Sequence, residues 1–282
     1  MLPNEKGFVT KKTFLYLSDT PSTVGSCLLQ TSPYDAYLTQ RARFPNGLEQ
    51  PEDGFRLSID ALLLAAFAHR ILPGNTDPVA DLGTGSGGCL IALGLLRDTF
   101  QGTGFEQENA CITCAQKNVQ NLGLAQRLSL VHLDLDSKKA LSPFHEHFAA
   151  CLANPPFYAA SEGRPSKENL RNRALRTKTP FTPFIASARV LLRYHGYLFL
   201  IVPPAKIQPV CSLLEKNTFG VRTLLPVANF KNEKIIRILL CARKSASSDT
   251  VFEQPLILHY REDQNKIRYT TEATAFCPWL SS

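Results

Sequence analysis

No run of apolar residues in this 282-residue chain approaches the roughly 18 that a membrane-spanning helix needs, so no helical membrane protein is expected. The opening stretch, Met1 to Leu17, has lysines but no sustained apolar segment. No secretory signal is therefore expected, and the cytoplasm is the expected compartment. Eight cysteines are scattered at 27, 89, 111, 114, 151, 211, 241 and 277. Only Cys111 and Cys114 form a C-x-x-C, inside a helical pattern and with no second pair at zinc spacing. They read as small apolar side chains on a helix, and without a secretory signal a disulfide framework is not expected. The six histidines show no ligand spacing; His145-x-His147 reads as a polar loop before a strand, and no metal is expected. No internal repeat and no serine or cysteine nucleophile constellation is evident.

What is present is ordinary for a globular protein: 44% apolar and 20% charged residues. That composition excludes disorder as the main state. The length allows one large domain or two small ones. Lysine and arginine total 31 against 24 acids, a formal charge of +7. The excess is concentrated. Between Glu162 and Lys178 stand Arg164, Lys167, Arg171, Arg173, Arg176 and Lys178 against two acids, a local charge of +4. Such a stretch suits a polyanion.

Residues 1–40 have no clear period and read as an N-terminal extension. From Ser58 onward helices and strands alternate. Helices are expected at 61–70, 89–97, 109–122, 181–193 and 205–216. Strands are expected at 78–82, 102–106, 128–133, 148–153 and 196–202, then an antiparallel pair at 222–229 and 234–242. Alternation of this kind implies an α/β fold with a mostly parallel sheet covered on both faces. Residues 41–245 form the expected domain. The tail, 246–282, carries one or two short strands expected to pack on the same domain.

Three motifs fall at the carboxyl ends of strands, where ligands bind in such sheets. The first is Asp81-Leu82-Gly83-Thr84-Gly85-Ser86-Gly87-Gly88. Its glycines permit a tight strand-to-helix turn and close approach by a ligand. A carboxylate at Asp81 opposes a pyrophosphate near a helix N-terminus but welcomes an ammonium or sulfonium. S-adenosylmethionine carries both, and is favoured over a nicotinamide or flavin dinucleotide. The second is Glu106, ending the next strand, where an acid can accept both ribose hydroxyls. Asp134, ending the strand after that, can accept from an adenine amino group, with Asp136 an equally good acid nearby. The third, and the most specific, is Asn154-Pro155-Pro156-Phe157. Two prolines hold a rigid turn. The Asn154 side-chain carbonyl and the Pro155 backbone carbonyl can then accept the two protons of a planar exocyclic amine. Phe157 can stack on the base.

Asp81 to Gly87, Glu106 and Asn154 to Phe157 together resemble the class I S-adenosylmethionine-dependent methyltransferases with an N-P-P-[YF] motif. The stretch from Asp53 to Leu64 (DGFRLSIDALLL) is similar to the segment before the glycine motif in the bacterial valine-tRNA adenine-N6 methyltransferases, which modify the adenine beside the anticodon. The resemblance covers about residues 40–245. It implies a Rossmann-like, seven-stranded sheet of order 3-2-1-4-5-7-6 with a final antiparallel strand. It also implies that Asp60 helps close the cofactor pocket. Expected cofactor contacts are thus Asp60, Asp81, Gly83, Gly85, Gly87, Glu106, Asp134 and Asn154. The expected catalytic set is Asn154, Pro155, Pro156 and Phe157. The basic stretch 164–178 would stand at the rim and hold RNA phosphates, with tRNA the favoured partner. The N-P-P-F motif is shared with guanine-N2 and protein-glutamine methyltransferases, which stay open as alternatives. A dinucleotide-dependent oxidoreductase is a further one.

Overall fold

The computed structural model describes residues 33–52, 56–74, 76–156, 180–262 and 266–281. Its centre is a nine-stranded sheet of order β3-β2-β1-β4-β5-β7-β6-β8, with β9 also on β6. The strands are β1 (Val79–Leu82), β2 (Gly102–Glu106), β3 (Leu128–His132), β4 (Phe148–Ala153), β5 (Leu192–Val202), β6 (Phe219–Ala228), β7 (Ile235–Lys244), β8 (Val251–Phe252) and β9 (Leu256–Ile257). The first seven run in the expected order, β1 to β5 parallel and β7 antiparallel to both neighbours. The sheet is thus larger than the seven strands expected. β8 and β9 both pair with β6 and cover what would be a bare edge. Beyond them lie a hairpin, β10 (His259–Arg261) with β11 (Ile267–Tyr269), and a short helix.

The core follows from the two-residue period of a strand. Along β4, Ala150 and Leu152 face one layer while Cys151 and Ala153 face the other. Along β5, Phe199 and Ile201 oppose Leu198, Leu200 and Val202 in the same way. Both faces are covered, so the central strands are continuously apolar rather than alternating. The helices are α1 (Pro33–Arg43), α2 (Ile59–Ile71), α3 (Gly88–Leu96), α4 (Asn109–Asn121), α5 (Lys138–Leu141), α6 (Thr182–Leu191), α7 (Ile207–Lys216) and α8 (Thr271–Phe276). Asp60 to Ala68 of α2 are all buried, as expected of a helix apolar all round. It lies between α3, the sheet and α8.

Several elements depart from the sequence reading: α5 and α8 were not expected, the tail has four short strands rather than one or two, and α1 and β5 begin where no pattern marks them. α1 crosses residue 40, in a segment with no apolar period. It is held by docking: Arg41 Nε donates to the Leu122 carbonyl at 3.0 Å, and Phe44 sits edge-on to Trp279 at 5.1 Å. β5 begins at Leu192, four residues early, because a bulge lies between its pairings with Phe148 and Ala150. The polar run Arg193-Tyr194-His195 conceals that strand start, and His195 takes the bulge's positive φ of 58°. The seven described cysteines are free. Cys111 and Cys114 lie half-buried on α4, and burial first, with Glu106 and Glu108 nearby, pushes the Cys111 thiol up to about 11. No described helix is long and apolar enough to cross a membrane.

Candidate active site

Strand register decides which motifs meet. Leu82, the last residue of β1, lies opposite Phe105 of β2 and Ala153 of β4. Glu106 lies opposite His132 of β3. Neighbouring strands are about 4.8 Å apart. The glycine turn, Glu106, Leu133-Asp134 and Asn154-Pro155-Pro156 therefore emerge in a row along one edge of the sheet.

The turn from β1 to α3 is fixed by backbone bonds. The amides of Gly83 and Thr84 both donate to the Phe105 carbonyl, at 2.8 and 3.0 Å. Gly83, Gly85 and Gly87 have φ of 67°, 59° and 89°, a region that side chains rarely adopt. A Cβ on Gly83 would press on the Phe184 ring, whereas one on Gly85 would project into open space. Gly85 is thus where the turn leaves room for a ligand. Gly88 serves packing instead: a Cβ there would strike Leu57.

Asp81 lies beneath this turn, 2% exposed. Its Oδ2 accepts from the Thr84 hydroxyl at 2.6 Å. Burial pushes the carboxyl up to about 6, against the opposing pull of the Thr84 hydroxyl and the Leu90 amide, and Glu106 adds to the rise. Asp81 therefore touches the loop through the Thr84 hydroxyl. Thr84 has room only because Gly104, paired with Asp81, lacks a side chain: a Cβ there would fall 2.8 Å from Thr84.

Glu106 is 8% exposed and bends back onto the loop. Its Oε2 accepts from the Gly85 amide at 2.9 Å, and its Oε1 from the amides of Gln107 and Glu108 at 2.8 and 2.9 Å. A carboxylate offers about four acceptor positions, so the protein fills most of them. Beside it is an open hollow lined by Gln107, Glu108, His132, Leu133 and Asp134. Asp134, not Asp136, lines that hollow. The Asp136 amide instead donates to Asp134 Oδ1 at 2.9 Å and orients it. Asn154 is half-buried, Pro155 buried and Pro156 exposed at the end of β4. Phe157 and the basic residues Arg164, Lys167, Arg171, Arg173, Arg176 and Lys178 lie outside the described residues.

Asp60 opens α2 and is 7% exposed. Its Oδ2 accepts from Arg237 Nε at 2.8 Å, 177 residues away. It is thus tied to the start of β7, which lies at the same edge of the sheet because β7 runs antiparallel to β5. Arg237 went unnoticed in the sequence, since nothing marks a cation in a strand as the partner of a distant helix. Asn118 was also missed. It is 1% exposed on α4. Its Nδ2 donates to the carbonyls of Ser86 and Glu49 at 2.9 and 2.8 Å, and its Oδ1 accepts from the Glu49 amide at 2.7 Å. It clamps the segment after α1 to the glycine turn. A polar residue on the buried face of an otherwise amphipathic helix was the available signal.

Comparison with known proteins agrees with this geometry. The chain is 28% identical to a tRNA1(Val) (adenine(37)-N6)-methyltransferase of Shewanella sp. (strain MR-4), over 68% of this chain and 79% of that one. It is 25% identical to a protein of the same name from Christiangramia forsetii, over 77% and 90%. Among solved structures, a predicted O-methyltransferase from Agrobacterium tumefaciens superposes with a TM-score of 0.62, covering 78% of this chain and 95% of its own at 20% identity. That likeness is one of fold, the class I methyltransferase fold. The family model described as methyltransferase small domain matches residues 59–231. That span is more than half of the chain and holds the glycine turn, Glu106 and Asn154-Pro155-Pro156, so the protein belongs to the methyltransferase small-domain family.

Proposed function

We propose that the protein transfers a methyl group from S-adenosylmethionine to the exocyclic N6 of an adenine in tRNA, in the cytoplasm. The observation that carries this reading is the pairing of Leu82 with Ala153. It brings Asn154-Pro155-Pro156 directly beside the glycine turn. The names of the relatives from Shewanella and Christiangramia support tRNA and adenine N6 as the target.

The residues fit the cofactor. The space beside Gly85 is a cradle that any side chain would fill. Next to it, the hollow at Gln107, His132 and Asp134 suits a planar heterocycle. Asp134 keeps its Oδ2 to accept from an amino group, because Oδ1 is held by the Asp136 amide. Glu106 has about one acceptor position left for a ribose hydroxyl. Accepting a second requires the Gly85 amide to release its Oε2. When bound, S-adenosylmethionine supplies an electrophilic methyl on a sulfonium.

The chain's own part at the acceptor is to hold the amine. Asn154 Oδ1 and the Pro155 carbonyl accept its two N–H groups, fixing the nitrogen's orientation and stabilising the positive charge that grows on it. Pro155 is buried and restricted in φ, which stiffens the backbone turn that carries this pair. The adenine has to leave its stack, which costs least in an unpaired loop.

The test is transfer of labelled methyl to tRNA from cells lacking the gene, followed by digestion to nucleosides. The expected product is N6-methyladenosine, and Asn154→Ala is expected to lower turnover by on the order of 10²-fold. Undiminished turnover in that variant removes Asn154 from the chemistry. Label in protein rather than RNA overturns the substrate.

A further inference from the structure

β6 and β5 both flank β7 antiparallel, so β6 runs in the same direction as β4 and β5. Its carboxyl end therefore lies at the edge that carries the glycine turn and Asn154. There β9 pairs in parallel, Val227 with Leu256 and Ala228 with Ile257. The chain then runs on past that edge. The Leu258 amide donates to the Ala228 carbonyl at 2.9 Å, and that of His259 to the Asn229 carbonyl at 2.8 Å. The β10–β11 hairpin thus continues outward from the rim of the active site, beside the β6–β7 turn at 229–234.

The hairpin interleaves rings and cations. Register pairs His259 with Tyr269, Tyr260 with Arg268 and Arg261 with Ile267. His259, Arg261, Ile267 and Tyr269 share one face, and Tyr260 and Arg268 share the other. The Arg261 guanidinium lies 4.6 Å over the Phe230 ring, and the His259 ring stacks on Tyr269 at 4.6 Å. A bare two-stranded hairpin is marginal in water, so these contacts hold it in shape. They do not use Tyr260, which is 45% exposed. Lys231, Lys234, Arg261, Lys266 and Arg268 stand here against Glu233, Glu262 and, in the sequence between the two strands, Asp263, a net charge of +2. Arg268 pairs with Glu262 at 2.6 Å and Arg261 lies over Phe230, while Lys231, Lys234 and Lys266 have no ion-pair partner among the described residues.

We infer that this hairpin and the adjoining 229–234 turn form a nucleic-acid contact that grips single-stranded RNA flanking the methylated nucleotide. Exposed rings among cations suit bases and phosphates together. A lipid surface would call for a continuous apolar face, which the alternating charges deny. From β4 to β9 there are four interstrand steps of about 4.8 Å, roughly 19 Å in all. The hairpin therefore reaches neighbours of the reacting base rather than the base itself. The inference rests on the proposed action on RNA.

The test uses the full chain, an unmodified tRNA transcript and S-adenosylmethionine. The double variant Lys234→Gln/Lys266→Gln should weaken tRNA binding about tenfold and flatten the salt slope by about 1.4, two single-strand phosphate contacts. Tyr260→Ala should weaken it about tenfold with the slope unchanged, as loss of a stacked base predicts. All three side chains are exposed, so thermal stability and S-adenosylmethionine affinity should stay at the wild-type level, excluding misfolding. Wild-type enzyme that methylates tRNA while these variants bind it normally overturns the hairpin contact and leaves the proposed function intact. Wild-type enzyme that binds tRNA but methylates none overturns the function, and the variants then decide the contact separately. Wild-type enzyme that binds no RNA, or that labels a protein, overturns both.

Discussion

Replacing Asp81 with asparagine should make the protein more resistant to unfolding as pH rises, relative to wild type. Asp81 is 2% exposed, and burial holds its carboxyl at about 6 against an ordinary 3.8. The folded state therefore binds this proton more tightly than the unfolded chain does. The group's contribution to stability is full below 3.8 and is lost as pH rises through 6. A shift of that size corresponds to about 3 kcal/mol, nearly all of it lost between pH 4 and pH 8. The asparagine amide does not titrate, so the variant escapes this loss. Whatever constant cost it incurs by burying an extra N–H is the same at every pH. The stability gap between variant and wild type should therefore move by about 2 to 3 kcal/mol in the variant's favour from pH 4 to pH 8. Urea unfolding with linear extrapolation across that range measures it. A gap that stays constant would refute the reasoning, and would mean that Asp81 is better solvated or better paired than its burial indicates.

Gly85→Ala should bind S-adenosylmethionine at least tenfold more weakly by calorimetry while costing only about 1–2 kcal/mol of stability. The added methyl enters the open cradle, and only the φ of 59° opposes it within the fold. Equal affinity would move the ligand away from this turn. Arg237→Met should destabilise by about 3 kcal/mol, because it leaves Asp60 buried without its ion-pair partner. Adding Asp60→Asn should recover much of that loss in denaturant titrations; additive losses would show that the pair is not coupled.

The sequence conveys the chemistry-bearing residues better than their surroundings. Glycines at a strand end, an acid ending the next strand and N-P-P after a buried strand are local patterns. Each is forced by what one turn or one strand must do. The strands and most helices were legible for the same reason: β4, Phe148–Ala153, is a continuous apolar run, and α4 ends in Gly123 with φ of 66°. Positions whose meaning depends on a distant partner were not legible. α1 has no apolar period because it is held by Arg41 on Leu122 and, just beyond its end, by Phe44 on Trp279. β8 and β9 are two residues each, too short to carry a period, and exist because β6 offers them unpaired backbone.

The same division runs through the site. The sequence by itself determined a mostly parallel sheet, a ligand-accepting glycine turn and a rigid Asn-Pro-Pro turn, since backbone freedom and hydrogen-bonding capacity are properties of single residues. Only the tertiary structure decided that Asp81 is bonded to Thr84, in the room Gly104 leaves, and that Glu106 is already engaged by three amides. It also decided that Asp60 is paired with Arg237 of β7. Burial and pairing are set by neighbours that the chain brings together from far along the sequence, 177 residues in the case of Asp60, and a carboxylate's role follows from them more than from its place in the sequence.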